Sequence, residues 1–167
     1  MSYWEAWDAG NRSVTVHWGA LGETGATKDV GISTDETADD VIDRESREPR
    51  ATGYEEIEME RHTQMVVQFK TKDEWGDSDD LGKRHHVDNI LNECLGWTGN
   101  GHYDGGDIGS GTINSFVFAV DADLAKDAIV RALTTNGFID GAIIAVEKEV
   151  DYEVVWPEDF KGDFSII

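Results

Sequence analysis

The sequence predicts an α+β protein built from two small domains, residues 1–61 and 62–167. Three observations lead to this fold class. Several runs alternate apolar and polar residues with the period of two that is typical of half-buried strands. Two segments of the second half instead repeat apolar residues at helical spacing. Finally, residues 55–61 form a polar, strongly charged connector between the two sets of elements.

The first segment centres on a strand that runs into a glycine-rich turn. Within residues 13–18, the apolar members Val14, Val16 and Trp18 alternate with Thr15 and His17. The sequence that follows is punctuated by three glycines, namely Gly19, Gly22 and Gly25. This recurrence indicates positive φ angles or a close approach of the backbone. Residues 3–7 and 27–32 have the composition of flanking strands, so a small antiparallel sheet is predicted.

One helix is predicted after these strands. Ser33 or Thr34, followed by Glu36 or Thr37, supplies the side chains that begin helices. A short apolar stripe follows at Ala38, Val41 and Ile42. Pro49 lacks the amide hydrogen that a helix interior requires, and Gly53 lies just beyond it, so the helix is expected to be short.

Residues 1–58 resemble the WGR domain, named for its Trp-Gly-Arg motif. The resemblance rests on spaced anchors: Trp4, Trp7, the run His17-Trp18-Gly19, Leu21-Gly22-Glu23, Gly25 and Gly53-Tyr54. It implies a small antiparallel sheet with one packed helix. The family occurs in poly(ADP-ribose) polymerases, where the domain contacts DNA ends and neighbouring domains, and in many uncharacterised bacterial proteins. The motif arginine is Ala20 here, so the side chain that would reach a phosphate is missing.

The second segment has a β-α-β-β-α-β pattern with one added strand. Met65, Val67 and Phe69 alternate in its first strand, and a helix over residues 81–95 carries an apolar stripe that includes Cys94. The remaining predicted elements are an irregular glycine-rich strand within residues 97–111, a strand at 112–120, a helix capped by Asp121 or Asp123 and closed by Asn136-Gly137, and strands at 142–148 and 152–156. This order is the ferredoxin-like arrangement. The stretch Asp104 to Gly109 also resembles uncharacterised bacterial proteins of this shape.

The charge balance is strongly acidic. The chain has 35 Asp and Glu against 14 Lys and Arg, a formal net charge of −21. Residues 1–61 carry 15 acids and 6 bases, so the excess is not confined to a tail. A negative field repels phosphate backbones, which disfavours nucleic acid as the main partner. The acidity indicates a solvated surface, a surface that steers a basic partner protein, or a salt-adapted source.

Localisation is predicted from three further features. A single cysteine excludes an internal disulfide and fits a reducing compartment. The first ten residues have no basic region followed by an apolar run, so no secretory signal is expected. No apolar stretch approaches the length of a membrane span. The protein is therefore expected in the cytoplasm.

Conventional sites are poorly supported. Gly106, Gly109 and Gly111 invite a phosphate-loop interpretation, but a strand rather than a helix follows them. Asp77, Asp79 and Asp88 have the spacing of ligands in a calcium loop. Leu81 argues against such a loop, because it stands at a position where the side chain should supply an oxygen. His85 and His86 point about 100° apart on a helix and lack a ligand four residues on. Cys94 lies on an apolar stripe and is interpreted as a core residue.

No catalytic constellation or dinucleotide motif is present, so a non-enzymatic binding protein without cofactor or metal is predicted. Its partner is expected to be a basic protein, and an immunity or antitoxin role against a toxin is the most concrete version. The candidate binding residues are Trp18, Gly19, Glu23, Tyr54, Asp104 and Asp107. The alternatives are a WGR-type regulatory module linked to nucleic acid and an enzyme whose site is assembled at the domain junction.

Overall fold

The computed structural model describes residues 1–166 and divides into two compact units. The first unit comprises Met1–Glu58 together with Trp97–Gly99, and the second contains the rest of the chain. The sequence division at residue 61 placed residues 97–99 with the second segment, whereas their contacts belong to the first. Across the described residues the chain is α+β, with a three-stranded antiparallel sheet, a five-stranded antiparallel sheet and three α-helices.

The first unit is a three-stranded sheet covered by one helix. Its elements are β1 (Ser2–Gly10), β2 (Ser13–Ala20), β3 (Ala26–Gly31) and α1 (Ala38–Ala51). β2 is the central strand and pairs antiparallel with both neighbours, with Trp4 of β1 directly opposite Trp18. Val14 and Val16 of β2 pack against Val41 of the helix to form a small core. Burial of these side chains is what fixes the helix to this face of the sheet.

Helix α1 differs at both ends from the expectation. It begins after Thr37 rather than at Ser33 or Thr34, because Thr37 and Asp40 form a reciprocal capping box. At the other end Pro49 lies inside the helix, which continues to Ala51. Proline has a helical φ and removes only one amide donor, and the turn around it is closed by the Thr52 amide, which donates to the carbonyl of Glu48 at 3.0 Å. Pro49 therefore lies within the helix, and the expectation of a short helix gives way to one of 14 residues.

The second unit is a five-stranded antiparallel sheet with two helices. The chain order of its elements is β4 (Thr63–Lys70), α2 (Ser78–Gly96), β5 (Gly101–Gly109), β6 (Thr112–Ala119), α3 (Ala122–Asn136), β7 (Ile143–Glu147) and β8 (Tyr152–Trp156). In space the strands follow the order β5-β6-β4-β7-β8. A short 3-10 turn at Met59–Arg61 precedes the sheet. The register of β5 against β6 shifts between Tyr103 and Gly106, which confirms an irregular glycine-rich strand.

The core of the second unit lies between its helices and one face of the sheet. It contains the predicted stripe of β4 together with the apolar faces of α2 and α3: Met65, Val67, Phe69, Val87, Leu91, Leu95, Ile129 and Leu133 are all fully or almost fully buried. α3 is capped by Asp121 and ends at Gly137, which has a φ of 76°, as the sequence predicted. α2 starts at Ser78, three residues before its predicted beginning. No helix within residues 1–166 is both long and apolar enough to cross a membrane.

Candidate binding groove

A concave groove in the first unit brings together two of the predicted binding residues. Its volume is about 320 Å³. The sheet contributes Trp4, Val16, Trp18 and Lys28, and α1 and the residues after it contribute Glu45, Glu48, Pro49, Thr52 and Tyr54. Trp18 and Tyr54 are 38% and 37% exposed, so their rings remain available to a ligand.

The groove follows directly from the strand and helix periods. Trp4 and Trp18 are opposite each other in the β1–β2 ladder, and side chains two residues apart share one face of a strand. Trp18 therefore points to the same side as Val16, which the helix covers. On α1, Glu45 and Glu48 are three residues apart and so face the same side. The groove therefore lies on the sheet face that α1 covers, at the place where Trp4 and Trp18 reach past the small core of Val14, Val16 and Val41.

The charges at the groove are mainly acidic. Lys28 Nζ lies 2.6 Å from Glu45 Oε2, and this hydrogen bond lowers the pKa of the Glu45 carboxyl. Glu48 is exposed and makes no side-chain hydrogen bond or ion pair within residues 1–166. The arginines of α1 are not among the residues that line the groove. A cationic ligand would therefore find one uncompensated carboxylate beside three aromatic rings.

Two other predicted residues, Gly19 near the end of β2 and Glu23 in the turn after it, have structural roles. A Cβ atom at Gly19 would lie 2.8 Å from the Cα of Gly25 and 3.2 Å from the Tyr3 ring, so only glycine fits there. This is the close backbone approach that the glycine pattern predicts. The Glu23 carbonyl accepts a hydrogen bond from the Tyr3 hydroxyl at 3.4 Å. Neither Gly19 nor Glu23 lines the groove.

Beside this turn, the opposite face of the sheet buries a polar network that the sequence pattern did not reveal. His17 is fully buried. Its Nε2 lies 2.7 Å from the Tyr3 hydroxyl, and its Nδ1 lies 2.6 Å from Glu5 Oε1. The Trp97 ring packs edge-on against the imidazole at 5.3 Å between ring centroids. The alternation that assigned His17 to the polar side of a half-buried strand was therefore misleading, because both faces of β2 are covered at this point.

Asp104 and Asp107 lie in the second unit, on β5, and are not among the residues that line the groove. Asp107 accepts a hydrogen bond from the Asn114 amide at 2.7 Å. Asp104 is exposed within the bulged part of the strand. The predicted set of six binding residues is thus divided, and Trp18 and Tyr54 are the two that line the groove.

Two of the acids considered as metal ligands, Asp77 and Asp88, have other partners. Asp77 accepts hydrogen bonds from the Asp79 and Asp80 amides at the start of α2. Asp88 is buried and accepts from the Ser115 hydroxyl at 2.6 Å and from Arg84 Nε at 3.3 Å. Across residues 1–166 there is no cluster of three or more His, Cys, Asp or Glu side chains suited to a metal ion.

Cys94 also lacks the character of a reactive thiol. It packs against the buried core of the second unit, and burial raises the pKa of the thiol to about 12. The thiolate form that acts as a nucleophile is therefore suppressed at neutral pH.

Sequence reasoning missed Trp4, Glu45 and Glu48 as groove residues. The turn alone gives no signal for Trp4: Asn11-Arg12 pairs Gly10 with Ser13, and the register shift between Asp8 and Gly10 is what brings Trp4 opposite Trp18. The signal for the two glutamates is their spacing on a helix that must pack on that face. Comparison with protein-family models, with curated proteins and with solved structures found no match to this chain.

Proposed function

We propose that this protein is a non-catalytic binding protein, and that a basic segment of a partner protein docks in the groove of the first unit. The observation that carries the proposal is a single concavity that holds Trp4, Trp18 and Tyr54 beside Glu48, which has no ion-pair partner within residues 1–166. Lysine and arginine side chains bind both to aromatic faces and to carboxylates.

The physical chemistry of the groove favours arginine in particular. A guanidinium stacks on tryptophan while donating hydrogen bonds to a carboxylate, and a cation–π contact contributes about 0.5–2 kcal/mol. The surrounding surface adds a long-range term, because the chain carries a net charge of −21. Such a field accelerates the association of a basic partner and makes the rate depend on ionic strength.

Two fold assignments form part of this proposal. The first unit is WGR-like, which its three-stranded antiparallel sheet and single helix support. The second is ferredoxin-like, which the chain order of its elements supports, with β8 as an added edge strand beside β7. The replacement of the motif arginine by Ala20 favours a protein partner over DNA. An immunity or antitoxin protein acting in the cytoplasm is the most concrete form of this function.

The test is a titration of the full chain with a short arginine-containing peptide, followed by heteronuclear NMR. We expect the largest shifts at Trp4, Trp18 and Tyr54. Trp18→Ala should weaken binding by about tenfold, the equivalent of one good cation–π contact. A peptide with citrulline in place of arginine should bind much more weakly, because citrulline has a similar shape and no charge.

Trp75→Ala is the matched control, because Trp75 is 77% exposed and lies in the second unit. It should leave peptide affinity unchanged. Shifts spread over the whole acidic surface, or equal affinity for the citrulline peptide, would contradict the proposal. Binding of blunt or nicked duplex DNA at low salt, lost in Trp18→Ala, would favour the nucleic-acid-linked alternative instead.

A further inference from the structure

A second concavity lies entirely within the second unit, at one end of its sheet. Its volume is about 650 Å³, which is the size of a small-molecule site. The end of β4, the segment entering β7 and the end of β8 form its walls. The residues that matter for its chemistry are Phe69, Lys70, Lys83, Asp140, Trp156 and Phe160.

Most of the wall is apolar. The indole of Trp156 and the ring of Phe160 are both half-buried, and Ile139 and Ile143 extend the apolar surface. An apolar cavity with a few polar groups at defined positions binds ligands whose body is apolar and whose polar part is small. The walls therefore suit an aromatic or aliphatic body.

The polar part of the site is dominated by Lys83, which comes from the first turns of α2. Its Nζ lies 3.7 Å from the centroid of the Phe69 ring, and Phe69 itself is 1% exposed. Burial lowers the pKa of the Lys83 ammonium, although the charge of Asp80 acts in the opposite direction. Among residues 1–166 the ammonium makes no hydrogen bond and no ion pair. A partly desolvated cation of this kind gains free energy when an anion joins it.

Across residues 1–166, nine of the 14 lysines and arginines make no ion pair, and Lys83 is the one of these nine that is not exposed. Elsewhere carboxylates pair with Lys28, Arg44, Arg84, Lys126 and Lys148. Lys70 lines the same cavity and likewise has no ion pair in the described part of the chain. A half-buried ammonium held over an aromatic ring, with the exposed Lys70 at the same apolar cavity, suits an anionic ligand.

Asp140 limits the charge of that ligand. Its carboxylate lines the cavity too, so the net charge of the lining is +1 at neutral pH. Asp140 would repel a polyphosphate, whereas the charge of a single carboxylate balances the net charge of the lining. We infer that this cavity binds a small aromatic monocarboxylate, with its carboxylate on Lys83 and Lys70 and its ring against Trp156 and Phe160. This inference is independent of the groove in the first unit.

The experiment titrates the full chain with naphthoate and, separately, with naphthamide, and follows both by heteronuclear NMR. We expect naphthoate to shift the signals of Phe69, Ile143 and the Trp156 indole, and naphthamide to bind about tenfold or more weakly because it lacks the charge. Lys83→Met keeps the apolar stem of the side chain and removes the ammonium, so it should weaken naphthoate binding by a similar factor. Lys83→Arg should retain most of the affinity.

Lys148→Met is the control, because it removes a paired lysine that does not line the cavity. It should leave naphthoate affinity unchanged. The inference is overturned if naphthoate shifts signals elsewhere, if the two probes bind alike, or if Lys83→Met binds naphthoate as the unaltered chain does. Should Lys83→Met not fold, Lys70→Met and the comparison of the two probes on the unaltered chain decide the question.

Discussion

At the scale of single residues, His17 shows how one buried polar side chain organises the first unit. Each ring nitrogen has a partner, the Tyr3 hydroxyl at 2.7 Å and Glu5 Oε1 at 2.6 Å. The residues that surround Tyr3 include Gly19, where any side chain would meet its ring. Buried polar groups are tolerated when their hydrogen bonds are satisfied, and among residues 1–166 no buried side-chain nitrogen or oxygen lacks a partner.

Tyr3→Phe should destabilise the protein by about 1–3 kcal/mol, because it leaves the buried Nε2 of His17 without a partner. The measurement is the free energy of unfolding in denaturant. Tyr54→Phe is the control, since Tyr54 is exposed and its hydroxyl makes no hydrogen bond within the described residues. Equal stability of Tyr3→Phe and the unaltered chain would show that the network is not energetically important.

At the scale of elements, α1 and α2 begin in the same way. At α1, Thr37 and Asp40 cap the helix reciprocally. Asp77 and Asp80 cap α2 in the same manner: the Asp77 amide donates to Asp80 Oδ2 at 3.1 Å, and the Asp80 amide donates to Asp77 Oδ1. The Asp80 and Asp79 amides hold the pKa of the Asp77 carboxyl below its usual range. The cap explains why α2 starts three residues earlier than its apolar stripe indicates.

The lowered pKa of Asp77 gives a pH dependence of defined sign. Its stabilisation is fully present above the unfolded-state value, about 3.9, and is lost as the pH falls through the lower folded-state value. Asp77→Asn keeps a capping oxygen but does not titrate, so its stability should fall less steeply in acid. The measurement is the free energy of unfolding across the acid range for the unaltered chain, Asp77→Asn and Asp77→Ala.

Asp77→Ala has no capping oxygen, and it should therefore be the least stable of the three at neutral pH. The stability difference between it and the unaltered chain should shrink as the pH falls. Parallel acid curves for the unaltered chain and Asp77→Asn would contradict the assignment of Asp77 as a titrating cap.

At the scale of the whole molecule, the main feature is self-repulsion. The net charge of −21 is distributed over both segments of the sequence, and the described ion pairs leave most of the 35 acids unpaired. Like charges oppose the compact state, and mobile ions screen them over about 10 Å at moderate ionic strength. Salt is therefore expected to stabilise both units.

The midpoint of thermal unfolding should rise by several degrees, roughly 1–2 kcal/mol of stability, between low salt and about 0.15 M salt. The measurement is circular dichroism during heating, with NaCl and KCl compared at equal ionic strength to separate screening from specific ion effects. A midpoint that is unchanged or lower in salt would show that repulsion does not limit stability.

Much of the secondary structure could be predicted from the sequence because it depends on local chemistry. The alternation of Met65, Val67 and Phe69 predicted β4, and Asn136-Gly137 predicted the end of α3. Trp18 and Tyr54 were also recognised as binding candidates and lie in one groove. Glutamates 45 and 48 were missed, because their role depends on which face of the sheet α1 covers.

The sequence by itself determined the α+β class, the strand and helix periods, and the acidity of the chain, since each depends on residue types and short spacings. Tertiary structure alone decided that residues 97–99 belong with the first unit, that His17 is buried, and that Lys83 and Trp156 share a cavity. The physical reason is that burial and long-range contact are properties of surfaces brought together by folding, and no local pattern specifies them.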